Sequence, residues 1–142
     1  MGSPDDTPVH TMNLFFPASL DEVEKVFERA RGFLDRDSIR ERLFAIMLVL
    51  SEALTNAIIH GSRGDISKEV RLGLEIYKDR LVMEIEDQGQ GFDYNRIFAR
   101  GLPDTGESGR GLFIMKAYLD EVRYNAKGNA VRLVMRLYDR GE

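Results

Sequence analysis

Cysteine is absent from the 142 residues, and positive charge is outnumbered by negative charge. Without cysteine, neither a disulfide framework nor a thiolate metal site is available. The 24 acidic residues exceed the 20 Lys and Arg residues and leave a net charge of −4. A protein that binds nucleic acid needs a basic patch or stripe, so we expect no direct contact with nucleic acid.

Long apolar runs are also missing. No uninterrupted run approaches the roughly 20 residues that span a bilayer, so no membrane association is expected. The first residues carry neither a positive region nor an apolar stretch, which argues against a signal peptide. We therefore expect a cytoplasmic protein with a disordered leader over residues 1–8 and a single domain over residues 9–142, which is long enough to bury a core.

Hydrophobic periodicity predicts five strands and three helices. In chain order these are a strand at 9–16, a helix from about 20 to 34 with Ser19 as its N-cap, a helix at about 39–60, strands at 70–76 and 81–87, a helix from about 109 to 119, and strands at 121–126 and 130–138. This order predicts a two-layer α/β (α+β) sandwich, in which about three helices cover one face of a mixed, mainly antiparallel sheet. Phe15 and Phe16 are expected in the core, with a dimer interface as the alternative.

The second helix carries the polar motif Glu52-Ala53-Leu54-Thr55-Asn56 among apolar residues. Residues four apart lie on the same helical face, so Glu52 and Asn56 are neighbours one turn apart. Buried polar groups are costly unless they are satisfied. An amide carbonyl can bind magnesium and a carboxylate can act as a general base. The alternative interpretation is a solvated polar stripe.

A second motif, Asp87-Gln88-Gly89-Gln90-Gly91, follows the predicted hairpin. An ionised carboxylate only accepts hydrogen bonds, which suits an exocyclic amine such as that of adenine. Glycine lets the backbone approach a flat ligand closely. An ordinary glycine-rich turn after a strand would give the same pattern.

A third motif, Gly109-Arg110-Gly111-Leu112, opens the predicted third helix after a long polar loop. Free N–H groups at a helix N-terminus can bind an anion, and Arg110 can add positive charge. A flexible loop that ends at a helix is the alternative. Together, however, the three motifs supply the parts of one site for magnesium, adenine and phosphate.

In this order the motifs resemble the N, G1 and G2 boxes of the gyrase–chaperone–histidine kinase–MutL superfamily, which has the Bergerat fold. Residues 107–122 resemble in particular the branch of anti-sigma-factor serine kinases. The resemblance covers nearly the whole chain, from about residue 9 to residue 138.

The resemblance implies ATP and Mg²⁺ as ligands and assigns a role to each motif residue. Glu52 corresponds to the catalytic acid that activates the attacking hydroxyl, and Asn56 to the magnesium ligand. Asp87 corresponds to the residue that binds adenine, with Gly89 and Gly91 in support. The residues implied near the phosphates are Gly109, Arg110, Gly111 and Leu112.

The same resemblance implies a serine-protein kinase that acts as an anti-sigma factor. Such kinases phosphorylate a serine of an anti-anti-sigma partner of the STAS type, sequester a sigma factor and usually form homodimers. The alternative is a nucleotide-gated protein-binding module without turnover, in which a lid over residues 92–108 becomes ordered on ATP binding.

The last hairpin departs from the family pattern. Relatives often carry two hydroxyl residues after its glycine, whereas this chain has Gly128-Asn129-Ala130. If Ala130 takes the second hydroxyl position, one contact to adenine is missing. A neutral hydrogen bond contributes about 0.5–1.5 kcal/mol, so we expect weaker nucleotide binding rather than its loss.

Overall fold

The computed structural model describes residues 6–89 and 115–137. Five strands within these ranges form one sheet: β1 His10–Pro17, β2 Glu69–Ile76, β3 Arg80–Asp87, β4 Glu121–Tyr124 and β5 Ala130–Arg136. The spatial order is β1-β2-β3-β5-β4, and all four neighbouring pairs are antiparallel. The predicted α+β sandwich is confirmed, and the described part of its sheet is antiparallel throughout.

Two long helices accompany the sheet: α1 Val23–Leu34 and α2 Leu43–Asn56. A short 3₁₀ turn precedes each helix, and a π-helical turn, Ala57–Gly61, continues α2. Residues 115–118 are helical, as the predicted third helix requires, whereas the earlier part of that helix lies outside the described residues. The leader predicted over residues 1–8 lies largely outside them too, so the division into leader and domain stays a prediction.

The inner face of the sheet forms the core with α1 and α2. Strand alternation puts every second side chain on this face, and the register aligns Leu74, Met83 and Leu133 across three strands. All three side chains are fully buried. Each buried side chain of this size stabilises the fold by about 1.5–3 kcal/mol, so the inner face holds the two layers together.

The outer face of the sheet is covered by ion pairs. Arg71 contacts Glu84 at 3.3 Å and Glu86 at 3.5 Å, and Arg132 lies 3.8 Å from Glu84. Exposed pairs of this kind contribute only about 0–1 kcal/mol each to the free energy of unfolding. Their main effect is to make the outer face polar.

The two neighbouring phenylalanines of β1 point to opposite faces of the sheet. Phe16 is buried in the core, which confirms the prediction for that residue. Phe15 is 60% exposed, so its predicted place in the core is wrong. Consecutive strand residues face opposite sides, and the outer face beside β1 has no second layer among the described residues.

Helix α2 and its neighbouring turns run without a break from Arg40 to Gly61, and this helix is long and apolar enough to span a membrane by length and composition alone. Half of its most apolar window is buried inside the protein. A core helix passes the same test, because a helix that is apolar nearly all round is buried on several sides.

Two substitutions in α2 test this packing. Leu50 is fully buried, whereas Phe44 on the same helix is 80% exposed. We expect Leu50→Ala to lower the free energy of unfolding by about 2–5 kcal/mol because it leaves a cavity. Phe44→Ala should change it by no more than about 0.5 kcal/mol. Urea denaturation measures both, and equal effects of the two substitutions would contradict the burial of α2 described above.

Candidate functional site

The C-terminal end of α2 brings a polar side chain into the core. Asn56 is the last residue of α2 and is only 4% exposed. The chain then widens into the π-helical turn Ala57–Gly61, a distortion that occurs frequently at functional sites. This turn brings Gly61 against the end of β3.

Asp87 ends β3 on the inner face and is 4% exposed. Its Oδ1 accepts a hydrogen bond of 2.7 Å from the Gly89 backbone N–H. A Cβ on Gly61 would overlap the carboxylate, at 2.6 Å from its Cγ, and a Cβ on Gly89 would lie 2.8 Å from Oδ1. The carboxylate therefore sits between two backbone segments that approach this closely only because both residues are glycine.

The turn between β4 and β5 fixes the backbone of Asp87. The Asp87 N–H donates to the Asn129 carbonyl at 2.9 Å, and the Asn129 side-chain amide donates to the Asp87 carbonyl at 3.0 Å. The turn itself is held by Asn125, whose side-chain oxygen accepts bonds from three consecutive backbone N–H groups, including that of Asn129. Gly128 supplies the positive φ of 83° that the turn needs.

A small cavity of about 10 Å³ lies between these elements, which is near the least volume that holds one water molecule. Four residues with polar side chains line it: Asn56, Asp87, Tyr124 and Asn129. The apolar part of its wall includes Ala53, Ile85, Ala130 and Val131. A small-molecule pocket is much larger, about 300–1,000 Å³, but it combines an apolar wall with a few convergent polar groups in the same way.

The electrostatics of the cavity depend on burial. Burial raises the pKa of the Asp87 carboxyl above its ordinary value, while the Gly89 N–H and the positive charges of Lys127 and Lys68 oppose the shift. Burial also raises the pKa of the Tyr124 hydroxyl, and the charge of Asp87 adds to that rise. The phenol therefore stays protonated at neutral pH, and the carboxylate is an acceptor in a site that favours neutral or cationic donors.

Three of the residues singled out from the sequence come together here. Asn56 and Asp87 line the same cavity, and Gly89 binds the Asp87 carboxylate. Glu52 lies one turn earlier on α2 and is half-buried, on the helical face that Asn56 shares. The remaining candidates lie outside the described residues, and these are Gly91, Gly109, Arg110, Gly111 and Leu112.

The structure identifies the roles of three further site residues that the sequence did not predict. The sequence indicated Gly61 as the end of a helix, but not as the contact surface of a carboxylate. Asn129 was noted for a missing hydroxyl, whereas its amide binds the backbone of Asp87. Tyr124 gave no local signal at all. All three act through contacts between residues distant in the chain, which no short motif records.

The described residues fit magnesium only as a partner of a phosphate-bearing ligand. They contain no cluster of three or more His, Cys, Asp or Glu side chains that could hold a metal ion. Asn56, however, is a buried amide whose nitrogen has no hydrogen-bond partner. Magnesium usually keeps several waters and takes one or two protein ligands beside substrate phosphates, so one amide is compatible with it.

A family model described as a histidine kinase-like ATPase domain matches residues 16–135 of the chain. The chain belongs to this family. The match begins in β1 and ends in β5, so it includes every element that forms the cavity. The resemblance inferred from the three motifs is thereby confirmed.

This ATPase domain is similar to curated bacterial regulators. It is 32% identical to a serine-protein kinase RsbW of Oceanobacillus iheyensis over 60% of the chain and 59% of that relative. It is 34% identical to an anti-sigma F factor of Clostridium perfringens over 70% of the chain and 75% of the relative. It is 36% identical to an anti-sigma F factor of Bacillus cereus over 78% of the chain and 80% of that relative. The alignment thus spans about three-fifths of the first relative and more of the other two.

The contact between Gly61 and Asp87 can be tested by adding one methyl group. Gly61→Ala places a Cβ against the carboxylate, and overpacking of this kind costs about 1–3 kcal/mol of the free energy of unfolding. Gly32→Ala is the matched control, because no atom lies within 4 Å of its added Cβ and alanine stabilises a helix interior by roughly 0.5–1 kcal/mol. Thermal and urea unfolding measure both. Equal stability of the two variants would show that the close approach at Gly61 is wrong.

Proposed function

We propose that this ATPase domain is an ATP-dependent serine-protein kinase that also acts as an anti-sigma factor. It binds Mg-ATP, phosphorylates a serine of an anti-anti-sigma partner of the STAS type and sequesters a sigma factor. The observation that carries the proposal is the buried Asp87 carboxylate, held between two glycines beside Asn56. The family match and the names of the relatives support it.

Asp87 binds the adenine base in this proposal. An ionised carboxylate accepts hydrogen bonds and donates none, so it selects the exocyclic amino group of adenine over the carbonyl of guanine. Its backbone is fixed on both sides by Asn129, which keeps the acceptor in place before the ligand arrives. Preorganisation of this kind lowers the entropic cost of binding.

Asn56 and the glycine-rich segments bind the phosphate end. Asn56 contributes its amide carbonyl to the magnesium ion, which neutralises phosphate charge when bound. Gly109, Arg110, Gly111 and Leu112 supply backbone N–H groups and one positive charge to the phosphates, whereas Gly91 supports Asp87 at the adenine base. Their roles rest on the motifs, since free N–H groups at a helix N-terminus bind anions.

Glu52 is the general base of the proposed transfer. Its carboxylate accepts the proton of the substrate serine hydroxyl while the serine oxygen bonds to the γ-phosphorus and the bond to the leaving ADP oxygen breaks. Phosphoryl transfer needs mainly positioning and charge stabilisation from the protein. One residue on the same helix as the magnesium ligand Asn56 can meet this need.

We place the protein in the cytoplasm as a homodimer. ATP is abundant in the cytoplasm, and the partners proposed above act there. The dimer is supported by edge strand β1, which exposes Phe15, and by the exposed Val9 just before it. An exposed apolar edge strand is a template for pairing, and a second copy of the chain would cover it.

Two substitutions separate nucleotide binding from transfer. Asp87→Asn replaces an acceptor with an amide of similar size, and we expect it to weaken ATP binding at least 10-fold, as loss of a charge-assisted hydrogen bond of about 1.5–3 kcal/mol predicts. Glu52→Gln should keep ATP binding and abolish phosphorylation of the partner serine. Calorimetry and transfer of labelled phosphate measure the two effects.

Glu28→Gln, on the exposed side of α1, is the control for both measurements. If wild type binds no ATP, the proposed function is wrong. ATP-dependent partner binding without any transfer would instead support the nucleotide-gated module, and transfer by Glu52→Gln would exclude Glu52 as the base.

The homodimer is tested by placing a charge on β1. We expect wild type to have twice the 16.2 kDa mass of the chain, and Phe15→Glu to be a monomer because a buried unpaired charge is costly. Phe44→Glu changes an even more exposed phenylalanine on α2 and should remain dimeric. Analytical ultracentrifugation measures the masses. A monomeric wild type would contradict the dimer, and a dimeric Phe15→Glu would exclude this interface.

A further inference from the structure

Tyr124 reaches the site from the edge strand β4. It is the last residue of β4 and lies opposite Val131 of β5. Strand alternation puts Val122 and Tyr124 on the inner face, where both pack against the core. Arg123 lies on the other face and contacts Glu121 at 3.3 Å. The ring of Tyr124 is therefore directed to the side of the sheet that carries Asp87.

The Tyr124 side chain lies close to both polar groups of the cavity. It lines the cavity with Asn56, Asp87 and Ala130. Its hydroxyl pKa responds to both neighbours, because Asn56 lowers it and the charge of Asp87 raises it. A phenol oxygen can accept a hydrogen bond while the hydroxyl donates its own proton elsewhere.

The Asn56 amide needs such an acceptor. Its nitrogen is buried and has no hydrogen-bond partner in the described residues, and a buried donor without an acceptor is unfavourable. The Asp87 carboxylate already accepts from Gly89 and is assigned to the base of the nucleotide. The side-chain oxygen of Asn129, which also lines the cavity, already accepts from the Asn125 amide at 2.7 Å, so the phenol oxygen is the neutral acceptor that fits the Asn56 amide.

We infer that Tyr124 is a positioning residue of the nucleotide site, whose hydroxyl oxygen becomes the acceptor of the Asn56 amide nitrogen when the amide carbonyl binds the metal. This bond fixes the orientation of the amide and leaves its carbonyl oxygen for the metal. The inference rests on the proposed function of the site.

The test compares two phenol hydroxyls on opposite faces of the sheet. Tyr124→Phe removes the hydroxyl and keeps the ring. Tyr77→Phe is the matched control, because the Tyr77 hydroxyl is also partly buried and donates to Glu75 at 3.2 Å, far from the cavity. Loss of one neutral hydrogen bond predicts that Tyr124→Phe weakens Mg-ATP binding roughly 2- to 12-fold, with little change in binding measured without magnesium. Tyr77→Phe should bind Mg-ATP as wild type does.

A second readout needs no nucleotide. In ¹⁵N NMR spectra of the free protein, the side-chain NH₂ signals of Asn56, assigned by Asn56→Asp, should shift in Tyr124→Phe and not in Tyr77→Phe. Wild type should also show a nuclear Overhauser contact between the Tyr124 ring and this NH₂ group. That contact is measured without any variant, so its absence overturns the inference even if Tyr124→Phe fails to fold.

The magnesium dependence separates the hydroxyl from a merely structural effect, because a general loss of structure weakens ATP binding with and without the metal alike. If wild type binds Mg-ATP and Tyr124→Phe binds it equally well with the same magnesium dependence, the inference is overturned and the proposed function stands. If wild type itself binds no nucleotide, the inference and the proposed function are both wrong.

Discussion

The close contact among Gly61, Asp87 and Gly89 is the constraint on which the site depends. It joins the end of the core helix to the end of a central strand and leaves no room for a side chain at either glycine. Because interiors are packed to crystal-like density, a carboxylate in that place cannot move away from its neighbours. Its direction is therefore set by the fold itself and not by a flexible loop.

The rest of the described structure serves to keep this contact in place. The apolar inner face of the sheet holds α2 against β3, and the π-helical turn brings Gly61 to the carboxylate. From the other side, the turn before β5 binds the backbone of Asp87 through Asn129. Two elements far apart in the chain thus position one acceptor, while Asn56 lies beside it on the helix.

The structure shows where the two residues that depart from the family pattern, Asn129 and Ala130, lie in the site. Ala130 lines the cavity without a polar side-chain atom, and Asn129 uses its amide to hold the backbone of Asp87. Tyr124 supplies a phenol in the same space. Tyr124 reaches this space from β4 because its cross-strand partner is Val131, which lines the same cavity.

The sequence alone determined the layers, the hairpin, the end of β3 at Asp87 and the family, because alternation, helical spacing and local motifs are properties of neighbouring residues. It also predicted that Asn56 and Asp87 belong to one site. It was wrong about Phe15, since alternation tells which residues share a face but not which face is covered. Only the tertiary structure decided the roles of Gly61, Asn129 and Tyr124, because each depends on a contact between segments that the chain brings together from far apart.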